Sequence, residues 1–303
     1  KTKLIHYPAA KVCEKYIVAP TVTRLEINSI FYLESSMDEN GKYIGLTKEI
    51  VLPEGITGIP QGLFSHCYGL LRVNIPSTVT EIGSSARSYS FGGGSCGIGD
   101  GCFYSCFSLE KIDIPEGIKF LGSNAFIYAG NDSTVISLPS TLKFAEIGAL
   151  LSVNYKTITV ADGCEVFKVV DNVLYDKSGE TLFRYPAGAT AENFTVPAGV
   201  KTVFCYAFAG CKLKNINFEE GCETVWANAF TDGLGNGSKL LETVSFPASL
   251  VTLGYFNDLY FSGSSVVNNG VFFLVENLIS VTFALDAELL TIGDMAFRHC
   301  YVA

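Results

Sequence analysis

The sequence predicts an α/β solenoid, with one short parallel strand per repeat, a short helical turn on the other side and irregular loop insertions. Three observations predict it. The stretch Leu71–Gly83, LRVNIPSTVTEIG, is rewritten along most of the 303 residues. Pro53 and Pro76 end equivalent apolar alternations and set a period of about 23 residues, within the range of roughly 20 to 50 that marks a repeat architecture. The composition is 48% hydrophobic and 17% charged, which is ample for a core. No apolar run reaches the ~18 residues of a membrane helix.

Each section of the repeat has a physical reading. The x-apolar-x-apolar-Pro section alternates with period two, so one face is buried, and proline sits at the strand exit, where its missing N–H does least harm. The Val-x-x-Ile-Gly section returns the chain, glycine permitting a turn closed to other residues. The Ala-Phe-x-x-Cys section places apolar residues at i, i+1 and i+4, which suits a single helical turn with Phe and Cys facing inward.

Taken in order, Leu4–Leu25 aligns without a gap on Leu182–Val203, so the chain starts inside a repeat. Ser29–Gly45 is irregular and holds a polar turn, Met37–Gly41. Regular repeats follow around Pro53, Pro76, Pro115, Pro139, Pro197 and Pro247, about nine to ten in all across a single body, 1–303. The array is expected to continue beyond both ends, since neither resembles the polar cap of a finished solenoid. Insertions are expected near 84–97, 166–188, 231–239 and 257–277. The second contains a small hairpin, with a strand from Phe167, an Asp176-Lys177-Ser178-Gly179 turn and a returning strand. Gly92-Gly93-Gly94 reads as a flexible loop, because a phosphate cradle would need a preceding strand and a following helix with lysine.

The residues Ile112-x-Ile114-Pro115-x-x-Ile118-x-x-Leu121-Gly122-x-x-Ala125-Phe126, with their counterparts around Pro53, Pro76, Pro197 and Pro247, resemble the BspA-like class of leucine-rich repeat. Leu182-x-x-Tyr185-Pro186-Ala187-Gly188 is similar to a unit inserted in such arrays. The resemblance implies a curved leucine-rich-repeat solenoid of secreted or surface-anchored type, associated with adhesion and lacking an active site. The implied localisation is extracellular or cell surface, any signal peptide having been removed.

A formal charge of −9 argues against nucleic acid or anionic membranes as partners. Of the ten cysteines, Cys67, Cys106, Cys211 and Cys300 occupy the repeat's tail slot. Cys164 and Cys222 replace an apolar residue. All six read as core thiols. Cys102 and Cys106 could share a metal at i, i+4, but no second pair lies at zinc spacing, and no metal or cofactor is expected. His6, His66 and His299 read as solvent-facing.

The candidate ligand-binding residues are the outward strand positions Asn74, Asp113, Ser137, Thr159, Thr195, Asn217, Ser245 and Thr282. The companion slot reads Glu49, Arg72, Lys111, Val135, Thr157, Asn193, Asn215, Thr243 and Ser280. Any solvated strand face must be polar, and that alone accounts for such a ladder. The functional reading is a non-enzymatic module that holds a host or extracellular protein, or a glycan, on its concave face or inserted loops. The alternatives are a passive stalk and a polysaccharide-cleaving solenoid. The latter would need acidic and basic groups clustered on adjacent turns, where the ladder offers one Asp113 between Asn74 and Ser137.

Overall fold

A computed structural model describes residues 2–4, 7, 13–30, 32–33, 35–41, 43–84, 101–122, 124–146, 149–231, 238–255, 270–287 and 291–300. Most of the expected insertions at 84–97, 231–239 and 257–277, together with His6 and Cys96, lie outside the described residues. The chain divides into two compact units, Lys1–Val166 and Phe167–Phe261 with Val266–Ala303.

In each unit the chain winds into stacked coils. The predicted strand is there: in unit 1, Lys15–Ile17, Glu49–Val51 and Arg72–Asn74 form one parallel sheet, and Lys111–Asp113, Val135–Leu138 and Thr157–Val160 another. In unit 2, Asn193–Val196, Asn215–Phe218, Thr243–Phe246 and Ser280–Phe283 form a parallel sheet of four. The inward residues Ile50, Ile112, Ile136, Ile216 and Val244 are buried, as the alternation requires.

One strand per repeat is an undercount. The return section forms a second, shorter strand, and these stack as well: Gly58–Pro60, Glu81–Ser84, Phe120–Leu121 and Phe144–Ala145 in unit 1. In unit 2 Thr181–Arg184, Thr202–Val203, Thr224–Trp226, Thr252–Tyr255 and Thr291–Ile292 do the same. The alignment of Leu4–Leu25 on Leu182–Val203 has a structural counterpart. Leu4 pairs in parallel with Leu25 as Leu182 does with Val203, and the amides of Tyr7 and Tyr185 donate to equivalent carbonyls, Ser29 and Ala207.

The helical turn does not form, and the described residues contain no helix. Backbone geometry gives the reason. The residues two before and two after the Phe of this section are left-handed in several coils: Gly62 and His66 flank Phe64, Asn124 and Tyr128 flank Phe126, and Met295 and His299 flank the more exposed Phe297. A right-handed helix cannot pass through such residues. Alternate amides also leave the local chain. Ser65 and Cys67 donate to Gly62 and Phe64, three residues back, while Phe64 and His66 donate to Cys102 and Tyr104 of the next coil. The α part of the predicted class is therefore replaced by a staircase of turns, and its amides join the coils. The inward placement of Phe and Cys holds, with Phe64 and Cys67 fully buried. The phenylalanines form a column in each unit. In unit 2 the Phe208, Phe230, Phe272 and Phe297 centroids are successively 5.2, 4.7 and 5.3 Å apart with nearly parallel planes.

The single hairpin expected near 166–188 is a three-stranded meander, Phe167–Val170, Val173–Asp176 and Thr181–Arg184. Asp171 and Asn172 both take positive φ and close an additional tight turn inside what reads as one strand. Arg184, at its end, is buried and donates to the Tyr206 carbonyl, fastening the meander to the next coil.

A clasp links turns of adjacent coils. In Pro53-Glu54-Gly55, Pro115-Glu116-Gly117 and Glu219-Glu220-Gly221 the glycine takes positive φ. Its amide donates to a hydroxyl one coil on: Gly55 to Thr78, Gly117 to Thr141 and Gly221 to Ser249, at 2.8–3.0 Å. Each hydroxyl donates back to the carbonyl beyond that glycine, of Ile56, Ile118 or Cys222. Glu116 and Glu220 accept from the same turns. The Ser140 amide holds the Glu116 carboxyl below its ordinary range, and the Ala248 amide does so for Glu220. Because folding lowers these values, their stabilisation is present above the ordinary value of 4.5 and is lost as pH falls through the lower folded value. Glu220→Gln is therefore expected to flatten the decline of Tm between about pH 5 and pH 3, measured by thermal melts across that range. A decline as steep as the parent's would contradict the clasp.

Candidate ligand-binding face

The alternation that buries the apolar strand residues turns their neighbours outward, and the parallel register stacks them roughly 4.8 Å apart. In unit 1, Asp113 pairs with Ser137 and Ser137 with Thr159, while Asn74 pairs with Val51 in the other sheet. Asn74, Asp113 and Thr159 are exposed and Ser137 half-buried. In unit 2, Thr195, Asn217, Ser245 and Thr282 form one unbroken rung series, flanked by Asn193, Asn215, Thr243 and Ser280. Each unit thus brings its own four candidates onto strand faces.

The two faces differ in chemistry. Unit 1 carries ion pairs: Lys15 with Glu49 at 2.8 Å, Arg72 with Glu110 at 3.4 Å, and Lys111 with Asp113 at 2.7 Å. Asp113 is therefore one half of a pair along its own strand. These pairs are exposed and contribute little to stability. Unit 2 presents eight uncharged side chains, bordered by the Lys214–Glu192 pair at 2.8 Å, and five of the eight bond laterally. Asn215 Nδ2 donates to Asn193 Oδ1 at 2.8 Å, Thr243 Oγ1 to Asn215 Oδ1 at 2.7 Å, and Ser245 Oγ to Asn217 Oδ1 at 2.7 Å. Such bonds fix rotamers before a ligand arrives.

The cysteines serve the core. The Cys67 thiol donates to the Ile30 carbonyl, Cys106 to Phe64 and Cys300 to Phe272, in each case at the Phe slot one coil back. A small apolar residue with a weak donor suits that slot. Cys102 donates the other way, to Ala125 at 3.7 Å, so the Cys102 and Cys106 thiols serve opposite neighbours. Among the described residues no group of three or more His, Cys, Asp or Glu is placed to hold a metal. Burial pushes the Cys67 thiol up to about 12 and Cys102, Cys106 and Cys205 well above their ordinary value. In peptide-mapped alkylation of the native chain at about pH 8, where only thiolates react, half-exposed Cys13 is expected to label well before these four. Equal labelling of Cys106 and Cys13 would contradict their burial.

His66 corrects the reading of solvent-facing histidines; His299 is exposed as expected. The His66 ring is half-buried among tyrosines, shares a hydrogen bond with Ser65 Oγ at 2.8 Å, and is held by burial below the usual imidazole range. It belongs to an aromatic corner that the sequence does not announce.

Six copies of the BspA-type leucine-rich repeat model match this chain, over 31–92, 86–178 and 179–303. The chain belongs to the BspA-type leucine-rich repeat family. A leucine-rich repeat protein from Eubacterium ventriosum is similar at 24% identity and a TM-score of 0.53, over 84% of this chain and 71% of its own. The pneumococcal vaccine antigen PcpA is similar at 20% identity and 0.51, over 93% and 74%. At these identities the likeness shows the fold alone. No curated protein matches this family member.

Proposed function

We propose that this chain is a non-catalytic binding module at or outside the cell surface, and that the neutral ladder of unit 2 captures its ligand. The observation that supports the reading is the lateral hydrogen bonding of Asn193, Asn215 and Thr243, and of Asn217 and Ser245. Groups ordered in this way lose little side-chain entropy on binding. The partner is an extracellular or host protein, or a glycan, that offers neutral donors and acceptors at strand spacing.

The test is capture of the chain by immobilised matrix glycoproteins, mucins and neutral polysaccharides at physiological salt, beside an unrelated solenoid. Saturable binding to one class supports the module. Absence of binding across the panel would overturn it in favour of a spacer.

A further inference from the structure

The neutral ladder of unit 2 lies between two rows of carboxylates. On the strand-entry side, the residues just before Asn193, Asn215 and Thr243 are Glu192, Lys214 and Glu242. Lys214 Nζ bonds Glu192 Oε1 at 2.8 Å. That hydrogen bond, and more weakly the charge of Glu242, holds the ammonium above its ordinary range. Two carboxylates share one cation, so the row keeps a net negative charge. On the strand-exit side, Glu219 and Glu220 follow Phe218 directly and are exposed. Glu219 Oε2 accepts from the Ala198 amide at 2.7 Å, and Glu220 from the Ala248 and Ser249 amides at 3.0 and 3.1 Å. Exposed Asp286 stands on the turn after Ser280–Phe283. The four described exit turns, 197–200, 219–222, 247–250 and 284–287, contain no lysine or arginine.

On the unit 1 face the strand charges answer one another, Lys15 with Glu49, Arg72 with Glu110 and Lys111 with Asp113. A cation arriving there meets bases as well as acids. On the unit 2 face the floor is neutral and the excess charge stands at its two edges. The floor also has a measure of its own. Asn193 and Thr195, like each pair on the other rungs, are two residues apart on one strand, about 6.6–6.8 Å. That is the two-residue repeat of any extended peptide, whose main-chain groups return to the same side at this interval. From Lys214 to Glu219 is five residues of strand, so the two rows stand roughly 16–17 Å apart.

We propose that the unit 2 ladder takes an extended basic peptide segment, its main-chain groups on the two columns of Asn, Ser and Thr and its lysine or arginine side chains on the carboxylate rows. This rests on the ladder as the binding face and chooses polypeptide over glycan as its ligand. Amide and hydroxyl side chains pair with main-chain N–H and C=O groups whatever the peptide's sequence. Specificity then falls to charge: two cationic residues five positions apart span the floor and meet both rows. Neutral sugars carry nothing that draws on the carboxylates, and sulfated or uronic sugars are repelled by them. The formal charge of −9 on the whole chain steers a cationic partner inward. Since the rows are exposed, their attraction is screened by salt.

The test is saturation-transfer NMR of the full chain at low ionic strength with three probes: the end-capped hexapeptide Lys-Thr-Ser-Thr-Ser-Lys, its counterpart with Glu at both ends, and cellohexaose. The lysine peptide is expected to bind saturably, about fivefold more weakly at physiological salt, and the Glu peptide not to bind. Glu192→Gln with Glu242→Gln is expected to weaken the lysine peptide about fivefold. Glu39→Gln with Glu54→Gln, which removes the same charge from unit 1, is expected to leave it within about twofold; circular dichroism confirms that both variants fold. Equal binding of the two peptides, or unchanged binding by the Glu192, Glu242 variant, would overturn the basic-peptide assignment. Cellohexaose bound by the parent and lost in Asn217→Arg, Ser245→Arg, with neither peptide bound, would keep the ladder and overturn the peptide. Silence of all three probes would also overturn the peptide, and the ladder falls with it only if the matrix and mucin panel is silent too.

Discussion

Phe230→Ala is expected to lower the unfolding free energy by about 3–5 kcal/mol, the usual cost of emptying a buried phenylalanine site. Phe230 is fully buried and stacks on Phe208 at 5.2 Å and on Phe272 at 4.7 Å, so it is an interior ring of its column. Its amide also donates to Val271 of the next coil, which ties the backbone on both sides of the cavity and limits collapse. In a repeat array, stability is the sum of coil and interface terms. Removing the shared ring weakens two interfaces at once, and the transition is expected to broaden as well as shift. Urea titration followed by circular dichroism checks this, and a loss under about 1 kcal/mol would contradict the column as a main coupling.

Gly69→Ala is expected to cost about 1–3 kcal/mol, the range for overpacking a site that cannot yield. The added carbon would lie 2.0 Å from the Gly45 nitrogen and 2.3 Å from its Cα. Both are backbone atoms, so no rotamer change relieves the overlap and the hairpin of Ser35–Met37 and Tyr43–Gly45 must move. The Asp38–Gly41 turn, closed by the Gly41 amide on the Asp38 carbonyl, should then be cleaved faster in limited proteolysis. Unchanged stability with an equally resistant turn would show that the two glycines do not set the docking of the hairpin.

Much of the fold is legible because the repeat states it several times over. Ile112, Ile114 and Pro115 announce an alternating strand, and Phe126 and Cys106 announce their own burial. What the sequence hides is set by small local choices. A two-residue strand such as Thr202–Val203 is too short to show a period. The helical spacing of Phe and Cys is genuine, but left-handed His66, Tyr128 and His299 divert it into a staircase, and among the described glycines Gly62, Gly210 and Gly270 hint at this. Asp171-Asn172 was a turn signal overshadowed by the apolar residues around it. The outward strand positions are legible because they follow from the same alternation that builds the core. Its division into an ion-paired and a neutral half depends on which rungs become neighbours. The aromatic corner depends on Tyr43 meeting Tyr68 and Phe107 across 25 and 64 residues, and no local pattern contains that.

Capture by the neutral ladder of unit 2 is tested most directly by the double variant Asn217→Arg, Ser245→Arg. Both side chains lie on the outward face, and surface changes of this kind shift stability by only about 0.5 kcal/mol. They would place two cations among groups that bond to one another at 2.7 Å. Measured against whichever ligand class the parent chain binds saturably, affinity is expected to fall by more than about tenfold with an unchanged Tm. Equal affinity in the folded double variant would contradict the ladder as the binding face.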